Sequence, residues 1–244
     1  MAPELLLAVL LIAFIASLCS SLTGFGFALV MAPLLTLAWD VEEAVATTTL
    51  LAFLNNGFLL AEARGHVVPS RVGILLLGFA FGLPVGIFLL ERLDADTMKI
   101  LVSTTVLVTG IALFFLPAYE IRGRARPLAV AAGAASGIVG PVTSMNGPPI
   151  VIYLLGRHPA MDEFRSTILA YFLPTGVITV AAFIALGRIT EDVLLATAVG
   201  VSGILLGALA GAWVRQHLDQ ERFRLIVLAV LVFSSLAVLL SAIV

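Results

Sequence analysis

Ser144, Asn146 and Gly147 stand in the run "GPVTSMNGPP" (140–149), directly before Pro148, Pro149 and the apolar run "IVIYLL" (150–155). A hydroxyl, an amide and a backbone N–H beside a helix start suit the oxygens of an anion. Helix N-termini carry unpaired N–H groups and the positive end of the helix dipole, and proline fits a first helical turn. An anion leaving water would meet polar partners there without a buried cation. A second run, "TGFGF" (23–27), offers Thr23, Gly24, Phe25 and Gly26 in a similar break. Asn55 and Asn56 place two adjacent amides inside an apolar segment. An unsatisfied amide in hydrocarbon is costly, so both should face the interior, where at least one touches substrate or an interhelical hydrogen bond satisfies them. Thr48, Thr49 and Thr167 are weaker candidates, because threonine bonds its own helix backbone. Arg165 is the cation nearest the apolar core. It would stand beside the second break, either drawing an anion towards it or serving as a plain cytoplasmic anchor.

Other chemistries lack their residues. An intramembrane enzyme needs a nucleophile with a nearby base, or a metal cluster. The three histidines, His66, His158 and His217, fall between apolar segments, and no carboxylate pair lies inside one. Ser136 in "GAASG" has no partner base, and the single Cys19 makes neither a disulfide nor a metal cluster. No catalytic residue, metal site or cofactor is expected. A cation site would be lined by carboxylates or carbonyls, so a neutral polar site favours an anion. The net charge of -2 projects no field towards nucleic acid.

The elements that hold these residues must be membrane helices. The chain is 61% hydrophobic and 11% charged, against about 25% charged for a soluble domain. A membrane helix needs about 20 apolar residues. Apolar stretches fall at 4–38, 42–62, 71–91, 97–118, 127–156, 163–187, 191–214 and 222–244. The first has Glu4 as its only early charge. It lacks the positive start of a signal peptide and reads as a retained membrane segment. The first and fifth stretches are too long for single helices and contain the two breaks. Irregular backbone at depth must sit against protein or a wet cavity.

The chain also repeats itself. "GLPVGIFLLERLDADTMKI" (82–100) aligns with "GALAGAWVRQHLDQERFRL" (207–225), matching Gly82 to Gly207, Gly86 to Gly211, Leu93-Asp94 to Leu218-Asp219 and Lys99 to Arg224. "TTLLAFLNNG" (48–57) aligns with "TILAYFLPTG" (167–176), and Pro33 with Pro149. Two halves follow, 1–118 and 127–244, joined by a cytoplasmic loop at 119–126. Orientation is read from Lys and Arg in short loops. If every stretch crosses once, six basic residues face seven. If the first and fifth stretches are hairpins, Arg64, Arg71, Arg122, Arg124, Arg126, Arg157, Arg165, Arg215, Arg222 and Arg224 share one side. Only Arg92, Lys99 and Arg188 then lie opposite. The expected fold is an all-α integral membrane protein of two inverted four-segment repeats. Each repeat is a broken or re-entrant hairpin plus three transmembrane helices, an arrangement found in secondary transporters.

"SLTGFGFALVMAPLL", its partner "GIVGPVTSMNGPPIVIYLL" and four stretches per half resemble the TauE/SafE family of sulfite-exporter-like permeases, also grouped with toluene-sulfonate uptake permeases. The resemblance covers nearly the whole chain. It implies a multi-pass transporter of the bacterial inner membrane for sulfite, sulfoacetate, sulfonates or related small anions. Many relatives carry adjacent glycines where this chain has "GFGF", so Phe25 and Phe27 narrow that site. The expected function is secondary transport of such an oxyanion by alternating access. The alternative is an anion channel, or a carrier of a small carboxylate. The partners implied are the anion and membrane lipid. A proton or sodium as coupling ion, and a homodimer, are left open.

Overall fold

In lipid, a helix satisfies its own backbone N–H and C=O groups. Every regular element among the described residues is accordingly helical. The structure, a computed structural model, describes residues 1–115 and 125–215. The first apolar stretch forms α1 (Pro3–Thr23) and the short α2 (Phe27–Thr36). After it come α3 (Val41–Ala63), α4 (Pro69–Arg92) and α5 (Ala95–Phe115). The fifth stretch forms α6 (Ala125–Thr143) and the short α7 (Gly147–Leu155), followed by α8 (Met161–Ala185) and α9 (Glu191–Arg215). Among the described residues, α1, α3, α4, α5, α8 and α9 are long and apolar enough to cross a bilayer. The stretch 222–244, the repeat matches at Leu218, Asp219 and Arg224, and Arg122 and Arg124 of the connecting loop lie outside the described residues.

Local sequence sets the helix starts. Proline occupies the first turn of α1, α4 and α7, where its missing N–H leaves no gap in the ladder. Acidic residues fill the first turns of α3 (Glu42, Glu43) and α8 (Asp162, Glu163), facing the positive helix end. Before α5, the Asp94 carboxylate accepts the Thr97 N–H at 2.7 Å. Hydrogen bonds from Thr97 hold that carboxyl below its ordinary pKa.

The closest helix pairs are α1 with α9 and α4 with α6. Glycine makes both possible, since small residues let membrane helices touch backbone to backbone. A methyl group at Gly78, Gly82 or Gly86 of α4 would overlap the carbonyl oxygen of Val130, Ala134 or Ile138 of α6, respectively. A methyl group at Gly203, Gly207 or Gly211 of α9 would likewise crowd the carbonyl oxygen of Leu10, Phe14 or Leu18 of α1. The two sets correspond residue for residue at constant offsets. They extend the aligned glycines of the sequence by one more pair, Gly78 and Gly203. Residue numbers rise together on both members of each pair, so α4 runs parallel to α6 and α9 runs parallel to α1.

Ion pairs then fix the ends of the bundle. The N-terminal ammonium lies 3.7 Å from Asp192, and Arg188 pairs with Glu42. The starts of α1, α3 and α9 therefore share one end. Arg71 pairs with Glu163, joining the starts of α4 and α8 at the end to which α3 delivers the chain. Being parallel to α4, α6 starts at that second end. The α1–α2 pair thus leaves and returns to the first end, and the α6–α7 pair leaves and returns to the second. Within each pair the long helix has 21 or 19 residues and the short one 10 or 9. Each outward arm can span most of a bilayer, about 30 Å, while its return arm covers about half as much.

Candidate anion site

The two breaks are built alike. α1 ends at Thr23, whose hydroxyl donates to the Cys19 carbonyl at 2.9 Å and accepts the Phe25 N–H at 3.3 Å. α6 ends at Thr143, whose hydroxyl donates to the Val139 carbonyl at 2.9 Å and accepts the Met145 N–H at 3.1 Å. The next residue turns left-handed in both, Gly24 at φ 80° and Ser144 at φ 57°. Glycine adopts that region without strain. Ser144 holds it at a cost, a form of strain that clusters at functional sites.

The second break opens on a polar cavity. Asn146, Ser144 and Gly140 form one wall, Thr49, Phe53 and Asn56 of α3 a second, and Phe172, Gly176 and Thr179 of α8 a third. The cavity volume is about 30 Å³, room for about two waters. Asn146 Nδ2 donates to Thr175 Oγ1 at 3.0 Å. Its backbone carbonyl accepts from Ser136, which in turn accepts from the Tyr171 hydroxyl at 2.7 Å. Side chain and main chain of Asn146 are thus both braced, which orients the α7 start. The hydroxyls of Thr49 and Thr179 rest on carbonyls of their own helices at 2.9 Å. A larger apolar groove of about 480 Å³ lies between α5, α6 and α7, with Pro148 and Pro149 on its wall. An anion must regain the hydrogen bonds it leaves in water, so the small polar cavity is the better candidate.

Asn56 brings a second amide to the cavity. It is only 8% exposed and lines the cavity. There it can meet a water or an anion.

The remaining expected residues divide between places. Asn55 does not reach the cavity. It is fully buried against α1, accepting from Ser17 at 2.8 Å and donating to Ser20 at 3.2 Å. Gly147 lies beneath the Phe172 ring, where an added Cβ would stand 3.1 Å from Cζ. Pro148 faces the outer groove, and with Pro149 it removes two N–H groups from the first turn of α7. Arg165 is not among the residues that line the cavity. Its stem crosses Gly24 of the first, where a Cβ would come within 2.7 Å of Arg165 Cγ. Phe25 packs there edge-on against Phe164, with ring centroids 5.8 Å apart. Thr23, Gly24, Phe25, Gly26 and Arg165 thus form one cluster, and Ser144, Asn146 and Asn56 another. Thr179 and the Tyr171–Ser136 brace escaped the sequence reading. Thr179 carries a signal in hindsight, lying one turn beyond Thr175 on the same face of α8.

This architecture defines a multi-pass helical membrane protein with a polar cavity inside it. Residues 9–238 match the family described as sulfite exporter TauE/SafE. The chain belongs to that family. It is therefore a membrane transporter of the inner membrane, of a family that handles sulfite and related sulfur anions. Comparisons with curated proteins and with solved structures give no match.

Proposed function

We propose that this chain is a secondary transporter that carries a small organosulfur or related oxyanion by alternating access. The moving parts are two inverted halves, 1–118 and 127–244, and the anion binds at the second break. The observation that carries this reading is the polar cavity that Asn56 and Asn146 line together. Asn56 and Asn146 donate N–H to the anion's oxygens. Ser144, Thr49 and Thr179 turn their hydroxyl protons from backbone carbonyls towards it. The α7 dipole adds a positive end without a buried cation.

The ion pairs support the hairpin topology. A salt bridge cannot reach across a bilayer. Single crossings of every stretch would put Glu42 and Arg188 on opposite faces, and Arg71 and Glu163 likewise. Hairpins at the first and fifth stretches put each pair on one face, with Arg71 on the arginine-rich side expected to be cytoplasmic. Transport without a bound nucleotide leaves an ion gradient as the driving force.

Purified protein in proteoliposomes should give saturable sulfite or sulfonate flux. A pH or sodium gradient imposed across the vesicle then assigns the coupling ion. A hydrogen bond to a charged group is worth about 1.5–3 kcal/mol. Asn56→Leu and Asn146→Ala should each weaken binding about tenfold to a hundredfold, read by ligand-dependent thermal shift. Unchanged affinity in both folded variants would remove the site from this cavity.

A further inference from the structure

We infer that Phe53 and Phe172 form a repeat-related aromatic clamp that sets the largest anion the cavity admits. This rests on the transporter reading above and adds its size selectivity. The two rings hold equivalent places in the halves, Phe53 in "TTLLAFLNNG" and Phe172 in "TILAYFLPTG". They come from crossing helices, α3 and α8, and both line the polar cavity.

Each ring is seated on a glycine from another element. A Cβ at Gly147 would stand 3.1 Å from Phe172 Cζ, and one at Gly176 would stand 2.9 Å from Phe53 Cδ2. Gly176 is helical and carries no positive φ, so the ring is its evident reason for lacking a side chain. Any larger residue at either seat would push a ring and change the cavity. The seats therefore fix where the rings stand.

The cavity, about 30 Å³, holds about two waters. Sulfite brings a sulfur and three oxygens, and a sulfonate adds a carbon chain. The polar wall of α6 and α7 is braced through Ser136 and Tyr171, so it cannot yield cheaply. The rings are the members left to yield, by turning about their side-chain bonds off their seats. Their edges carry partial positive charge, which an anion tolerates at close range. How far each ring can turn away from its glycine seat limits the substituent behind the anionic head.

The test is a ligand ladder on full-length protein in detergent: sulfite, methanesulfonate, propanesulfonate and benzenesulfonate, with acetate and benzoate as carboxylate controls. Affinity is read by thermal shift and by competition for sulfite flux. Wild-type protein should favour the small members. Phe172→Ala and Phe53→Ala should each improve the largest bound sulfonate about tenfold relative to sulfite, as extra pocket space commonly does. Gly176→Ala should act in the opposite direction by crowding Phe53. Where an alanine variant fails to fold, Phe172→Leu or Phe53→Leu carries the same test with a smaller shift. An unchanged size ranking in folded phenylalanine variants, with wild type still binding a small oxyanion, overturns the clamp and leaves the transporter reading intact. If no oxyanion or carboxylate binds wild type at millimolar concentration, the transporter reading falls and takes the clamp with it.

Discussion

The two helix breaks share a backbone and differ in what they offer a ligand. Both end a long helix on a threonine turn followed by a left-handed residue. The first break uses glycine at the left-handed position and again at Gly26 (φ 100°), so it presents no polar side chain beyond Thr23. Its short helix keeps the N–H groups of Phe27, Ala28 and Leu29, while Arg165 and Phe25 fill the space around it. The second break replaces those glycines with Ser144 and Asn146, and gives up two N–H groups to Pro148 and Pro149. It opens on the cavity that Asn56 also lines. Duplication alone would leave two similar sites. The divergence assigns polar side chains to one break and tight packing to the other.

Exchanging the diverged residues tests that division, and the largest effect should come from the packed break. Gly24→Ser imports the residue of the second break. It incurs a left-handed penalty of about 1–2 kcal/mol and an overpacking cost of about 1–3 kcal/mol against the Arg165 stem. Thermal melting in detergent should show a loss near the sum of the two, with ligand affinity per folded molecule little changed. A melting point equal to wild type would mean the Arg165 stem moves aside freely, and the first break would lose its description as a packing site.

Asn146→Gly makes the converse exchange. The backbone at 146 sits at φ -77°, which glycine accepts. The variant should fold while losing the Thr175 hydrogen bond and the ligand contact, weakening anion binding about tenfold to a hundredfold. Ser144→Gly should do two smaller things at once. Relieving the left-handed serine stabilises by about 1 kcal/mol, and deleting its hydroxyl weakens binding about threefold to tenfold. A rise in melting temperature with reduced affinity would identify Ser144 as a residue held in strain for its contact. A rise with unchanged affinity would make it a packing residue like Gly24.

How legible this was depended on range. The breaks, the helices and the repeat rest on local signals: prolines, glycines and apolar runs. The aligned Gly82 and Gly207 indeed occupy matching backbone contacts. Arg165 was placed by closeness along the chain, whereas its stem lies against Gly24 at the tip of the other half's hairpin. Asn55 and Asn56 were inseparable for a related reason. Neighbours on a helix point about 100° apart, and only the packing of α1 decides which amide it bonds and which one the cavity receives. The Tyr171–Ser136–Asn146 brace joins three elements by hydrogen bonds over long separations. No periodicity encodes such a contact.

The smallest contrast lies on α3 and α8 themselves. Thr48 and Thr167 align in the repeat, and both are fully buried. Thr167 accepts the Val68 N–H at 3.3 Å, ahead of the α4 start. Among the described residues, the hydroxyl of Thr48 has no hydrogen-bond partner, nor has that of Thr47 beside it. Valine is nearly isosteric with threonine but removes the hydroxyl. Thr167→Val leaves a backbone donor unpaired and should destabilise by about 1 kcal/mol. Thr48→Val removes an unsatisfied group and should be neutral or stabilising by up to about 1 kcal/mol. Opposite signs in paired melting curves would show that the halves diverge in their helix interiors as well as at their breaks. Loss of gradient-driven flux in Thr48→Val, with sulfite affinity retained, would instead assign the bare hydroxyl to the coupling ion.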